Sequence, residues 1–107
     1  MISSQLPNYL RSHRKRLSLS QDEVAFLLGT QSGAKVSRYE RFAREPSLET
    51  ALAFEMIFQR STSELFGGLY QKVEQEVTER AKTLAERTDQ GTLKRQIFNN
   101  IANKSLN

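Results

Sequence analysis

The sequence predicts an all-α protein: five short helices, then a helical extension made of one long helix and a shorter one. Three observations carry this. Apolar residues recur at spacings of three and four, the period of one helix face, and β-branched runs are absent. Only two prolines and five glycines interrupt 107 residues. Hydroxyl residues stand where helices would begin, and glycine or proline stands near several of their ends. The length suits one domain with an appendage. The predicted division is a domain over residues 1–68 and an extension over 69–107.

Helix 1 is expected over residues 6–17. Ser4 or Gln5 leads in, and Pro7 takes a first helical position, where its missing N–H costs nothing. Leu6, Leu10 and Leu17 share a face near Tyr9, with the basic run RSHRKR mostly opposite. His13, inside that run, reads as a solvated or edge histidine. Helix 2 starts after Ser20, whose hydroxyl and Glu23 form a capping box. Asp22 and Glu23 favour the positive end of its dipole. It runs to about Leu28, and Gly29 supplies the left-handed residue that stops it. Ser32, with Gln31 the alternative, caps helix 3, expected over residues 33–42. Val36 and Tyr39 are its apolar face; Lys35, Arg38 and Arg41 lie on others.

Pro46 breaks the helical pattern, because the residue before proline is pushed out of the α region. Ser47 caps helix 4, with Ala51, Leu52, Phe54, Ile57 and Phe58 as its apolar face. Ser61 or Ser63 caps a short helix 5 through Leu65 and Phe66. Gly67–Gly68 is the expected hinge. The long helix that follows, to about Arg87, repeats Leu69, Val73, Val77, Ala81 and Leu84, with Glu76 and Arg80 paired on its outside. Asp89-Gln90-Gly91 ends it. Thr92 caps the last helix, whose face is Leu93, Ile97, Phe98 and Ile101. The terminal NKSLN is expected to fray.

The net charge of +4 is unevenly placed. Residues 11–44 hold eight basic residues against three acidic, whereas residues 45–107 hold eight against nine. A basic excess concentrated around helices 1 to 3 is the footprint of a phosphate-backbone binder. A helix that buries one side and shows basic and small residues on the other suits a DNA groove. No run approaches the roughly 18 apolar residues of a membrane span, and the first sixteen residues lack the apolar core of a signal peptide. The absence of cysteine removes a disulfide framework, and one histidine cannot build a Cys/His zinc site. A cytoplasmic location is expected. No phosphate-binding glycine loop, metal cluster or nucleophile–base–acid arrangement points to an enzyme, and no cofactor is implied.

The segments LSQDEVAFLLG, VSRYER, EPSLETALAF and SELF together resemble the helix-turn-helix domain of lambda-type phage repressors and Cro, the xenobiotic-response-element group of regulators. The resemblance covers residues 6–66. It implies a DNA-binding, usually dimeric regulator whose helix 3 enters the major groove while helix 2 crosses the backbone. Carried over by position, it implies base-edge contacts at Gly33, Ala34, Lys35 and Arg38, arginine being the commonest reader of guanine. It implies phosphate contacts at Gln21, Ser32, Arg41 and Arg44, the first aided by the helix N-terminus. It also implies an ion pair between Arg14 and Glu40, linking helices 1 and 3.

The chain departs from the pattern in three ways. One extra residue stands between Gly29 and Val36, which displaces the start of helix 3. Phe26, Leu27 and Met56 occupy positions that are normally polar. About forty residues follow the normal end of the domain. The apolar stripes of that extension have to be buried somewhere. They either fold back over Phe26, Leu27 and Met56 or pair between two copies, and a homodimer through the C-terminal helices is preferred. The implied partner is double-stranded DNA. The alternative is an interaction protein, such as an antitoxin, that uses the extension to hold a protein partner.

Overall fold

The computed structural model describes residues 8–103. Every regular element among them is helical: α1 (Leu10–Arg16), α2 (Gln21–Leu28), α3 (Gly33–Glu40), α4 (Leu48–Phe58), α5 (Thr62–Leu65), α6 (Gly67–Glu86) and α7 (Leu93–Asn103). The chain divides into two units, residues 1–70 and 71–107.

In the first unit the helix starts are set by side-chain caps. Ser20 forms a complete capping box with Glu23 before α2. Ser32, Ser47 and Ser61 accept the N–H groups of Ala34, Thr50 and Glu64 at the starts of α3, α4 and α5. Each cap satisfies an N–H that the helix itself leaves free. Gly29 ends α2 in the left-handed region, at φ +80°.

The core is built around Phe54, which is fully buried. Its ring meets Tyr39 edge-on at 5.7 Å, Phe66 at 6.2 Å and Phe58 in a near-parallel stack at 5.9 Å. Leu10, Val24, Ala25, Val36 and Leu65 complete it, with Leu19, Leu28, Ala51, Ile57 and Leu69 packed at its edge. This core holds α2 against α3.

Helix 1 starts at Leu10, not at residue 6, and Asn8 and Tyr9 are not helical. Asn8, just before the N-cap Tyr9, accepts the N–H of Leu10 on its Oδ1 and donates from its Nδ2 to the Tyr39 carbonyl. The expected lead-in at Ser4 to Pro7 lies outside the described residues. Within the described part of the expected face Leu10 is buried, while Leu17 is exposed where the chain leaves α1 through Ser18 at φ +61°. Helix 3 ends at Glu40, not at Phe42, because Phe42 turns left-handed at φ +57°. Leu52 faces water, not the core.

Gly67 and Gly68 form the first turn of α6 and are not a hinge. A Cβ on Gly67 would stand 3.1 Å from the Tyr9 ring, so glycine serves close approach there, not freedom.

In the second unit, the covered edge of α6 is Thr78, Ala81 and Ala85, and that of α7 is Ala102. The expected stripe is therefore rotated: Val73, Val77 and Leu84 are each more than 40% exposed. Glu76 pairs with Lys72 at 3.4 Å, not with Arg80. After Gly91 (φ +82°), Thr92 accepts the Arg95 N–H at the start of α7, and the Arg95 guanidinium donates to the Thr88 carbonyl at 2.9 Å. Residues 104–107, most of the segment expected to fray, lie outside the described residues.

Candidate nucleic-acid interface

Two polar links fix the pose of α3. Asp22, in the first turn of α2, accepts the N–H of Gly33 at 3.0 Å. This ties the two helix N-termini together across the turn. At the other end, Glu40 receives Arg14 through Nε at 2.5 Å and Nη2 at 3.2 Å. The third donor of Arg14, Nη1, reaches the Leu19 carbonyl at 3.0 Å. Both side chains are at most 10% exposed. Gln21 adds Nε2 to Glu40 at 3.1 Å, so α1, α2 and α3 meet on one carboxylate. A buried guanidinium with each of its three nitrogens bonded is a structural group, not a free cation.

With α3 held this way, Ala34, Arg38 and Arg41 fall on one exposed face, four and then three residues apart. Lys35 lies to one side of that face and is half-buried. Arg41 donates to Ser37 at 3.3 Å and stays exposed, as does Arg44 beyond the helix. Ser32 is exposed in front, its hydroxyl occupied in capping Ala34. Gly33 does not fit the base-edge role. It is buried, and a Cβ there would meet Asp22 Oδ1 at 2.6 Å and the Gln21 Cβ at 3.0 Å. The front of α3 is packed onto α2, leaving Ala34 as the first exposed position of the helix. Gln21 keeps only one amide hydrogen for a ligand, because the other is bonded to Glu40.

Beside this face lies a cleft of about 570 Å³ between α1, α2 and α3. Arg11 and Lys15 of α1, Ser20 and Gln21 at the start of α2, Ser37 of α3 and Arg41 just after it line it over the Arg14–Glu40 pair. Three exposed cations and two hydroxyls suit anionic oxygens. Arg11 and Lys15 were not among the sequence candidates. Their signal was present as an i,i+4 basic pair, hidden because the whole run RSHRKR is basic. His13 of the same run is half-buried near Phe58, 2.8 Å from Arg16 Nη2. Burial, and then the charges of Arg16 and Arg60, lower its pKa from the ordinary value.

The sequence profile of a family described as helix-turn-helix matches residues 10–65. The chain belongs to the helix-turn-helix family. Its branch is that of the lambda-repressor-like, xenobiotic-response-element regulators, a DNA-binding family and not one of enzymes. No curated protein and no solved structure matches the chain. The matched region runs from the first residue of α1 to the last of α5, so it contains the helix-turn-helix pair α2–α3, most of the core and the basic cleft. Among the described residues no helix is long and apolar enough to cross a membrane.

Proposed function

We propose that this helix-turn-helix protein is a sequence-specific transcriptional regulator that lays α3 in the major groove of operator DNA. The observation that carries the reading is the exposed face Ala34–Arg38–Arg41 standing next to a cation-lined cleft on one side of the domain. Arg38, at its centre, reads a base edge, guanine by preference, while Ala34 sits small enough to touch a thymine methyl. Lys35 reaches the groove from the flank. Arg41, Arg44, Ser32 and the remaining amide hydrogen of Gln21 take phosphates, joined by Arg11 and Lys15 in the cleft. The half-buried Gln21 also stands at the first turn of α2, where helix N–H groups favour an anion.

Selection of bound fragments from random DNA tests this. It should enrich one short motif, and Arg38→Ala should relax one base position of that motif at a cost of about 1–3 kcal/mol. Lys15→Ala should weaken every sequence alike and flatten the salt dependence of binding. No enriched motif, or an Arg38→Ala loss equal on all sequences, overturns the reading. The exposed apolar side chains Phe26, Leu27 and Met56 favour a second reading, a helix-turn-helix protein whose main task is to hold another protein. In that case selection returns no preferred motif while the domain stays folded.

A further inference from the structure

We infer that a second copy of this chain docks on α6, with the two α6 helices antiparallel and a two-fold axis passing beside Val77. The inference rests on the DNA-reading proposal for its use, since a two-fold protein reads two half-sites, but its geometry stands on α6 alone.

One edge of α6 is covered at Thr78, Ala81 and Ala85, all small or polar. The larger apolar residues Tyr70 (45%), Val73 (46%), Val77 (43%) and Leu84 (42%) form the adjoining edge and stand in water. Their spacings of three, four and seven keep them on one stripe along the 20-residue helix. A stripe of this spacing is the seam of a helix pair, and none of the described residues closes it.

The charges beside the stripe select the occupant and its direction. Arg80, seven residues from Val73 and three from Val77, stands on the Val73 side of the stripe itself, and Glu76, four residues before it, lies just outside that side. Among the described residues Arg80 takes part in no ion pair, and Glu76 holds only the exposed Lys72. Antiparallel pairing about a two-fold axis sets like flanks against each other. With the axis at Val77, Arg80 comes within roughly 3 Å along the axis of the partner's Glu76, and the pair occurs twice. The same axis sets Val77 against the partner's Val77 and Tyr70 against the partner's Leu84. A parallel pair would bring each α6 residue level with its own copy and lose this match. The surface is complementary to itself in one direction only.

The chain contains no cysteine, so single cysteines report the geometry on the full-length protein. With a rise of roughly 1.5 Å per residue, the two copies of position 77 meet, those of position 73 lie roughly 12 Å apart along the axis and those of position 84 roughly 21 Å. A disulfide needs Cα atoms within roughly 7 Å. Val77→Cys should therefore cross-link under mild oxidation, and Val73→Cys and Leu84→Cys should not. Cross-linking at all three positions shows a parallel pair and overturns the inference, as does cross-linking at none.

Light scattering supplies the second readout. Wild type should run at twice the 12.3 kDa of one chain. Glu76→Arg and Arg80→Glu should each raise the dimer dissociation constant about tenfold or more, and the double exchange should restore it. Failure of the double exchange to restore it refutes the charge match. Circular dichroism confirms that each variant keeps its helices. If Arg38→Ala leaves base preference unchanged while Val77→Cys cross-links, the DNA reading fails and the dimer stands; the reverse pattern sinks only the dimer.

Discussion

In the first unit the large apolar side chains converge. Phe54 is the centre, and Leu10, Val24, Val36 and Leu65 around it are as dry as it is. In the second unit the pattern is inverted. Among the described residues its buried positions are Thr78, Ala81, Ala85 and Ala102, while Val73, Val77, Leu84, Leu93 and Ile97 remain between 42% and 72% exposed. Both units are built of amphipathic helices, though eight of the nine aromatic residues belong to the first. The difference lies in the number of faces brought together. Five short helices meeting at changing angles enclose a volume; α6 and α7 bury only small or polar positions and leave the rest of each stripe open. The first unit completes a core within one chain and leaves Phe26, Leu27 and Met56 exposed outside it. The second carries apolar surface of the kind that association covers.

The widest separation between the units should appear on truncating one apolar side chain in each. Phe54→Ala removes a ring with three aromatic neighbours from a fully dry site, and should cost about 4 kcal/mol of unfolding free energy. Val77→Ala, studied at concentrations where the chain is monomeric, should change stability by less than about 0.5 kcal/mol, because the side chain is already half in water. Denaturant melts of the two variants check this. A Val77→Ala loss as large as that of Phe54→Ala would mean that α6 is buried within the monomer.

The same contrast explains which features could be read from the sequence. The start of α2 was legible because Ser20 and Glu23 sit three residues apart and act on their own backbone. Gly29 was legible because its left-handed φ is a local need. The end of α3 was not, since nothing in the residue type announces that Phe42 will adopt φ +57°. Gly67–Gly68 was read as a hinge because glycine serves both freedom and close approach, and only the distant Tyr9 ring decides between them. Periodicity located the apolar face of α6, but the share of that face that is covered depends on what packs there. In the site, the Gln21–Glu40 bond and the burial of Gly33 are contacts between helices, and neither has a one-dimensional signature.

A smaller effect sharpens the comparison inside the first unit, where a polar seam accompanies the apolar one. Glu40→Ala leaves the Arg14 guanidinium buried with Nε and Nη2 unpaired, and also releases Gln21. The expected cost is about 3 kcal/mol, the scale of a buried pair broken on one side. Replacing both Arg14 and Glu40 by leucine and methionine should recover much of it, because no charge is then stranded. If the single variant melts like wild type, water reaches the pair and it contributes little.

The smallest change bears on the turn, where the extra residue sits. At an unhindered first helical position Gly→Ala stabilises, because it lowers the entropy of the unfolded chain. Gly33 reverses the sign. The new methyl would stand 2.6 Å from Asp22 Oδ1 and 3.1 Å from the Asp22 backbone nitrogen. The carboxylate can swing away, but only by giving up the hydrogen bond it accepts from Gly33, and the backbone nitrogen cannot yield without moving α2. Gly33→Ala should therefore destabilise by about 1–2 kcal/mol. Its effect on DNA should exceed its effect on folding, since the shift falls where α3 is aimed at the groove. Gly33→Ala combined with Asp22→Ala removes the nearest clash but not the backbone contact, and should restore stability more fully than DNA affinity. Full recovery of both would show that Asp22 alone sets the angle between the two helices; a stabilising Gly33→Ala would show that the turn has room for the residue it gained.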